Sequence, residues 1–222
     1  MLYRGFATQE EIDAGYNNMA AVPDAPALLA DWAQRSAAAR DLPYARLRLA
    51  YGPTRAEKLD LFTAGAGTPL HIFVHGGYWM AFGRESWSHL AGGALARGWA
   101  CAMPSYRLAP QVSLADMTRD VASAVLKAAA LVKGPVVVTG HSAGGHLSAR
   151  MACADGPAAV VRVVPISPLA ELAPLTATGM QQTLRITPEI CAAESPARLL
   201  PRPGVAAHVW VGGHERPSFL WQ

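Results

Sequence analysis

Two kinds of apolar pattern divide the chain. Over residues 44–51 and 58–63, apolar and polar positions alternate. That is the period of a strand with one face buried, so these segments predict a leading antiparallel hairpin. Further on, the apolar runs become short and continuous: residues 70–74, 99–103, 136–139, 160–164 and 206–211. Each is too short for a helix and several are rich in valine, the pattern of strands covered on both faces. Between and before them lie segments that predict helices: 86–97, 114–131, 142–154, 195–200, and a helix from near Ala25 through the alanine-rich stretch at 36–40. Strand–helix alternation implies an α/β fold with a mostly parallel sheet and right-handed crossovers. Ligands of such sheets bind beyond the carboxyl ends of the strands.

Composition narrows the class. The chain has 222 residues, 51% of them hydrophobic and 16% charged. That suffices for one domain with a large core and argues against disorder. A formal charge of +3 with scattered Lys and Arg gives no nucleic-acid footprint. The N-terminal stretch lacks the apolar region of a secretory signal, and no long uninterrupted apolar stretch predicts a membrane span. The expectation is a cytoplasmic protein with a small-molecule substrate, with homodimer formation left open. Cys101, Cys153 and Cys191 are odd in number and lack metal-ligand spacing, so they read as small buried hydrophobes.

The chemistry concentrates after two of the strands. The run at 136–139 leads into Gly140-His141-Ser142-Ala143-Gly144-Gly145, followed by a helical segment. This is G-x-S-x-G between strand and helix, the setting in which a serine nucleophile sits on a sharp turn. Glycines relieve crowding there, and free N–H groups at the helix start favour developing negative charge. His75-Gly76-Gly77-Tyr78-Trp79 follows the run at 70–74. Acyl transfer needs backbone donors for a tetrahedral oxyanion. Here those would come from Gly76, Gly77 and Tyr78 together with Ala143. A plain glycine turn is the bland reading of each motif alone; two in order, each after a strand, favour the catalytic one.

With HGGYW at 75–79, PSYRLAP at 104–110, GHSAGGH at 140–146, SPLAELAPL at 167–175 and VGGHERPSF at 211–219, the chain resembles the kynurenine formamidase (arylformamidase) branch of the α/β-hydrolases. The resemblance covers almost the whole chain. It implies an α/β-hydrolase fold with a mostly parallel sheet and helices on both faces, as a single domain over 1–222. It implies hydrolysis of N-formyl-L-kynurenine to L-kynurenine and formate, in tryptophan catabolism, with neither metal nor cofactor. By position in VGGHE, Glu215 would be the acid of the triad. Asp116 and Asp120 precede the serine and do not suit the Ser…Asp/Glu…His order. No histidine follows Glu215. The expectation is therefore a chain truncated before the terminal strand, helix and histidine, or else a degenerate copy; a catalytically inactive protein and a carboxylesterase on small acyl esters are the rivals.

Among internal histidines, His146 lies one helical turn from Ser142, but a locally bonded helix histidine is the expected role. His75 and His141 belong to the two motifs, and His214 lies beside Glu215. Tyr78 and Trp79 are the candidates for a substrate-binding wall, ahead of Phe82 and Trp87. Arg84 and Arg107 are left as ordinary surface arginines rather than carboxylate binders.

Overall fold

A computed structural model describes residues 6–63 and 65–222. Seven strands form one sheet: β1 (Ala45–Ala50), β2 (Lys58–Phe62), β3 (Leu70–Val74), β4 (Ala100–Pro104), β5 (Val136–His141), β6 (Val160–Ile166) and β7 (Ala206–Ala207), in the order β1-β2-β4-β3-β5-β6-β7. β1 and β2 form the expected antiparallel hairpin, and β2 joins β4 antiparallel. From β4 through β7 every pairing is parallel.

The helices are α1 (Gln9–Tyr16), α2 (Ala25–Arg40), α3 (Ala91–Leu95), α4 (Leu114–Val132), α5 (Ala143–Arg150), α6 (Gln181–Leu184), α7 (Pro188–Glu194) and α8 (Pro217–Leu220). Alternation along the central strands divides the core. Leu59, Leu61, Leu70, Ile72, Val74, Ala100 and Ala102 join the large core, which α4 and α5 cover. Phe62, Phe73, Cys101 and Met103 face the other way, against Ala91 of α3 and Trp87. Trp32 of α2 extends this second layer, its ring centroid 5.2 Å from that of Trp87. All three cysteines are buried thiols. No helix among the described residues is long and apolar enough to cross a membrane.

Three expectations need correction. The helix predicted over 86–97 is two 3₁₀ turns and the five-residue α3, since Gly92 and Gly93 weaken the helix at its centre. The helix predicted over 195–200 is one 3₁₀ turn at Pro196–Arg198, and the true helix is α7, capped by Thr187 and started by Pro188. The last strand is regular only at Ala206–Ala207, although pairing continues: His208 N–H donates to Val163 O at 3.0 Å and Trp210 N–H to Pro165 O at 2.9 Å. Nor are β6 and this segment covered on both faces; Val161 is 46% exposed, Val209 64% and Trp210 62%.

Candidate active site

β3 and β5 pair in register, Val74 beside Gly140, so the loops leaving them emerge side by side. At the end of β5 the chain turns at Ser142, whose φ of 57° and ψ of −119° are left-handed for a non-glycine residue. Such backbone costs on the order of 1–3 kcal/mol and persists only when its surroundings fix it. Ser142 N–H donates to Ile166 O of β6 at 2.9 Å, and Ser142 O accepts the first α5 bond, from His146 N–H at 3.0 Å. Glycine is required around the turn by space. A Cβ on Gly140 would lie 2.1 Å from Gly144 O, and one on Gly144 would lie 2.1 Å from Val74 O.

The HGG loop presses against this turn. A Cβ on Gly76 would sit 2.8 Å from His141 O and 3.4 Å from Ser142 Cβ. Gly77, Tyr78 and Trp79 are successively left-handed, with φ of 111°, 49° and 58°. Two carbonyls orient this strained run. His75 Nδ1–H donates to Gly76 O at 2.8 Å, and Met80 and Ala81 N–H donate to Gly77 O at 3.0 and 3.1 Å. The peptide N–H opposite each carbonyl, on Gly77 and Tyr78, has no partner among the described residues; nor do the N–H groups of Gly76 and Ala143. Unpaired backbone donors are costly when buried, and of the residues that carry them Ala143 follows Ser142 directly while Gly76 packs against it.

His75 was expected only as a member of its motif. Its ring is buried and stacked on Tyr106 at 4.4 Å, and Tyr106 OH donates to His75 O at 2.9 Å. Burial drives its pKa down to about 4, partly opposed by the Gly76 bond, so the ring is a neutral prop for the loop. A histidine directly after a strand and before Gly-Gly is the signal that could have suggested this.

The other sequence candidates divide clearly. Glu215 lies in the turn before α8, where its Oε1 accepts from Ser167 Oγ, and its charge opposes the desolvation that lowers the pKa of His141. The structure thus brings Glu215 to the elbow's neighbourhood. Ser167, itself left-handed at φ 42°, was missed as its holder. Tyr78 is half-buried and donates its hydroxyl to Tyr16 O. Trp79 requires correction: it is 0% exposed, its indole edge-on to His146 at 5.2 Å, so it is a core residue and not a wall facing substrate. Its ring follows a left-handed backbone inward, which apolar content alone does not reveal.

Asp116 closes the capping box of α4 with Ser113, whose hydrogen bonds hold its pKa down to about 2. Asp120 accepts from Arg107 Nη2 at 2.6 Å, and Arg84 is paired with Asp60. His146 is buried, donates from Nε2 to Glu194 O at 2.6 Å, and is held neutral by desolvation. His214 is exposed. No hydrogen bond joins Ser142 Oγ to an imidazole among the described residues.

Comparison with known proteins places this arrangement. The family model for the alpha/beta hydrolase fold matches residues 71–197, more than half of the chain and including both motifs. The chain is 30% identical over 178 residues to kynurenine formamidase of Salmo salar, covering 74% of this chain and 59% of that one. It is 27% identical to kynurenine formamidase of Danio rerio, covering 83% of this chain and 68% of that one. The chain thus spans less than two thirds of the salmon enzyme's length. A crystal structure from Silicibacter sp. TM1040, described as that of a "putative thioesterase", superposes with a TM-score of 0.90 at 45% identity, covering 95% of this chain and 83% of that chain. The chain belongs to the α/β-hydrolase family, with kynurenine formamidases among its relatives.

Proposed function

We propose that the protein is a serine hydrolase of small acyl groups, with Ser142 as nucleophile and a formamide such as N-formyl-L-kynurenine as substrate. The observation that carries this reading is the pairing of a left-handed Ser142 with unpartnered N–H groups on Gly77, Tyr78 and Ala143. In that reaction Ser142 Oγ attacks the formyl carbonyl, and its proton passes to a base. The carbonyl oxygen, now anionic, accepts from the waiting N–H groups. The amine then leaves with a proton, and water releases formate from the serine. Glu215 would orient an imidazole base, were one bound beside Ser142, rather than take the proton itself.

The formamide is favoured by the relatives that match the chain across most of its length. The thioesterase description of the 45%-identical structure makes a small ester or thioester the rival acyl donor. Because no imidazole bonds Ser142 Oγ among the described residues, the protein is expected to turn over far more slowly than an enzyme with a complete triad. Losing the histidine of such a triad costs about a millionfold in kcat.

The experiment is to treat the protein and its Ser142→Ala variant with a fluorophosphonate, and to assay both, alone and with added imidazole, on N-formylkynurenine, p-nitrophenyl acetate and acetyl-CoA. Imidazole-stimulated labelling confined to the unsubstituted protein is expected, with imidazole-stimulated turnover of the formamide above that of the esters. Labelling that survives in Ser142→Ala removes the nucleophile assignment. A preference for acetyl-CoA or the acetate removes the formamide.

A further inference from the structure

The same end of the sheet carries a second concave feature, on the hairpin side of the HGG loop. It is a groove of about 1020 Å³, at the top of the range for small-ligand clefts. Six cationic side chains line it: Arg40, Arg48, Arg55, Lys58, Arg84 and Arg107. Some of this charge is spoken for. Asp60, fully buried in β2, pairs with Arg40 at 2.7 Å and Arg84 at 3.0 Å, and Asp120 binds Arg107. Glu85 stands at the rim, 58% exposed and 3.7 Å from Arg84. Glu57 turns its carboxylate back to Thr54 N–H at 2.9 Å. The side chains of Arg48, Arg55 and Lys58 have no ion-pair or hydrogen-bond partner among the described residues. Six cations against four carboxylates leave the groove with an excess of two positive charges.

Arg48 is held there at a cost. It is left-handed, with φ of 58°, at the bulge where the β1–β2 register shifts between Arg46 and Leu49. Its N–H donates to Asp60 Oδ1 at 2.8 Å. The carboxylate that fixes Arg40 and Arg84 therefore also fixes the backbone that puts Arg48 on the groove wall. Backbone of this kind persists only where its surroundings fix it, and here the bulge and the Asp60 carboxylate do so. Among the residues lining the groove, Phe82 is 41% exposed and left-handed at φ 72°, its ring edge-on to Trp87, and it supplies apolar surface.

We propose that this groove binds a phosphate monoester with an apolar or aromatic substituent, at a site distinct from Ser142. A dianion matches the excess charge. Guanidinium forks and a lysine point charge suit phosphate oxygens, and Phe82 takes the organic group. The proposal does not rest on the hydrolase reading, because binding is measurable with Ser142 removed.

The test is calorimetric titration with phenyl phosphate, inorganic phosphate and benzoate. The proteins are the unsubstituted chain and its Arg48→Gln, Lys58→Gln and Ser142→Ala variants. Arg40 and Arg84 are left in place because they neutralise buried Asp60. Phenyl phosphate is expected to bind once per chain with a Kd below about 1 mM, and more weakly as salt is raised. Its affinity should fall about tenfold in Arg48→Gln and in Lys58→Gln and stay unchanged in Ser142→Ala. Inorganic phosphate and benzoate should bind more weakly. Equal affinity in the groove variants overturns the site, as does binding lost only in Ser142→Ala. Benzoate or inorganic phosphate binding as tightly as phenyl phosphate overturns the ligand class.

Discussion

Single residues set both the strain and the pH response of this protein. Gly77 has φ of 111°, and a Cβ there would lie 2.5 Å from Ala81 O and 2.7 Å from Phe82 Cδ2. Gly77→Val is thus expected to do more than displace the N–H donors; forced repacking should lower stability by about 1–3 kcal/mol, read as a reduced denaturation midpoint. An unchanged midpoint would mean the loop accepts a side chain. The buried histidines make a separate prediction. Desolvation lowers His71, His75 and His146 to about 4 in the folded state, against about 6.5 in an unfolded chain. Between those values the unfolded chain binds more protons, so stability is whole above pH ~6.5 and falls as pH drops toward ~4. Asp116, held down to about 2, adds its own loss only at lower pH. Urea titrations at stepped pH should show a decline in that window, and a flat profile from pH ~7 to ~4 would show that the imidazoles are not buried neutral.

At the level of elements, the strongest local signals were legible and the composite ones were not. The valine run of β5 and the apolar run of β3 gave their strands, and α4 fills the helical segment expected at 114–131, though its capping box of Ser113 and Asp116 was not read from the sequence. That cap carries a prediction: Ser113→Ala removes the acceptor of Asp116 N–H and a donor to its carboxylate, and should cost about 1 kcal/mol. Thermal melts of the two proteins measure it, and an unchanged midpoint would mean that water replaces the cap. α3 was drawn too long because two glycines occupy its centre, and α7 escaped because Pro188 and Thr187 start a helix whose burial depends on α4. For the candidate site, the motifs located Ser142 and the glycine loop. They could not show that Trp79 turns inward or that Ser167 holds Glu215, because both depend on φ values and on contacts between distant segments.

On the scale of the whole molecule, the two concave features sit on one end of one sheet and differ in origin. The Ser142 region is built by parallel strands β3, β5 and β6 and the loops that leave them. The basic groove is built where the antiparallel hairpin meets β4, with Leu59 beside Pro104. The parallel half is less well covered on its second face, at Val161, Val209 and Trp210, than the half that carries α2 and α3. On the two proposals made above, the reacting centre would lie over the strands of the central core and the hairpin edge would be left to recognise charge.

The glycine contacts between β3, the elbow and α5 have one further consequence. Gly144 lies against the carbonyls of Val74 and His75, and Gly76 against that of His141, with no side chain between them. Without an interposed side chain there is no soft layer that could let the loop open while the sheet stays closed. Regions that open independently exchange their amide hydrogens by local fluctuation, whereas regions fused to a core exchange only when the whole unit opens. The amides of Val74 and Gly140 and the α5 amide of His146 should therefore exchange together, with one protection value equal to that of the central strands. On slow heating with imidazole present, fluorophosphonate reactivity should vanish at the same temperature as the sheet's circular dichroism signal. Reactivity lost at a lower temperature, with strand amides still protected, would reveal an independently melting loop.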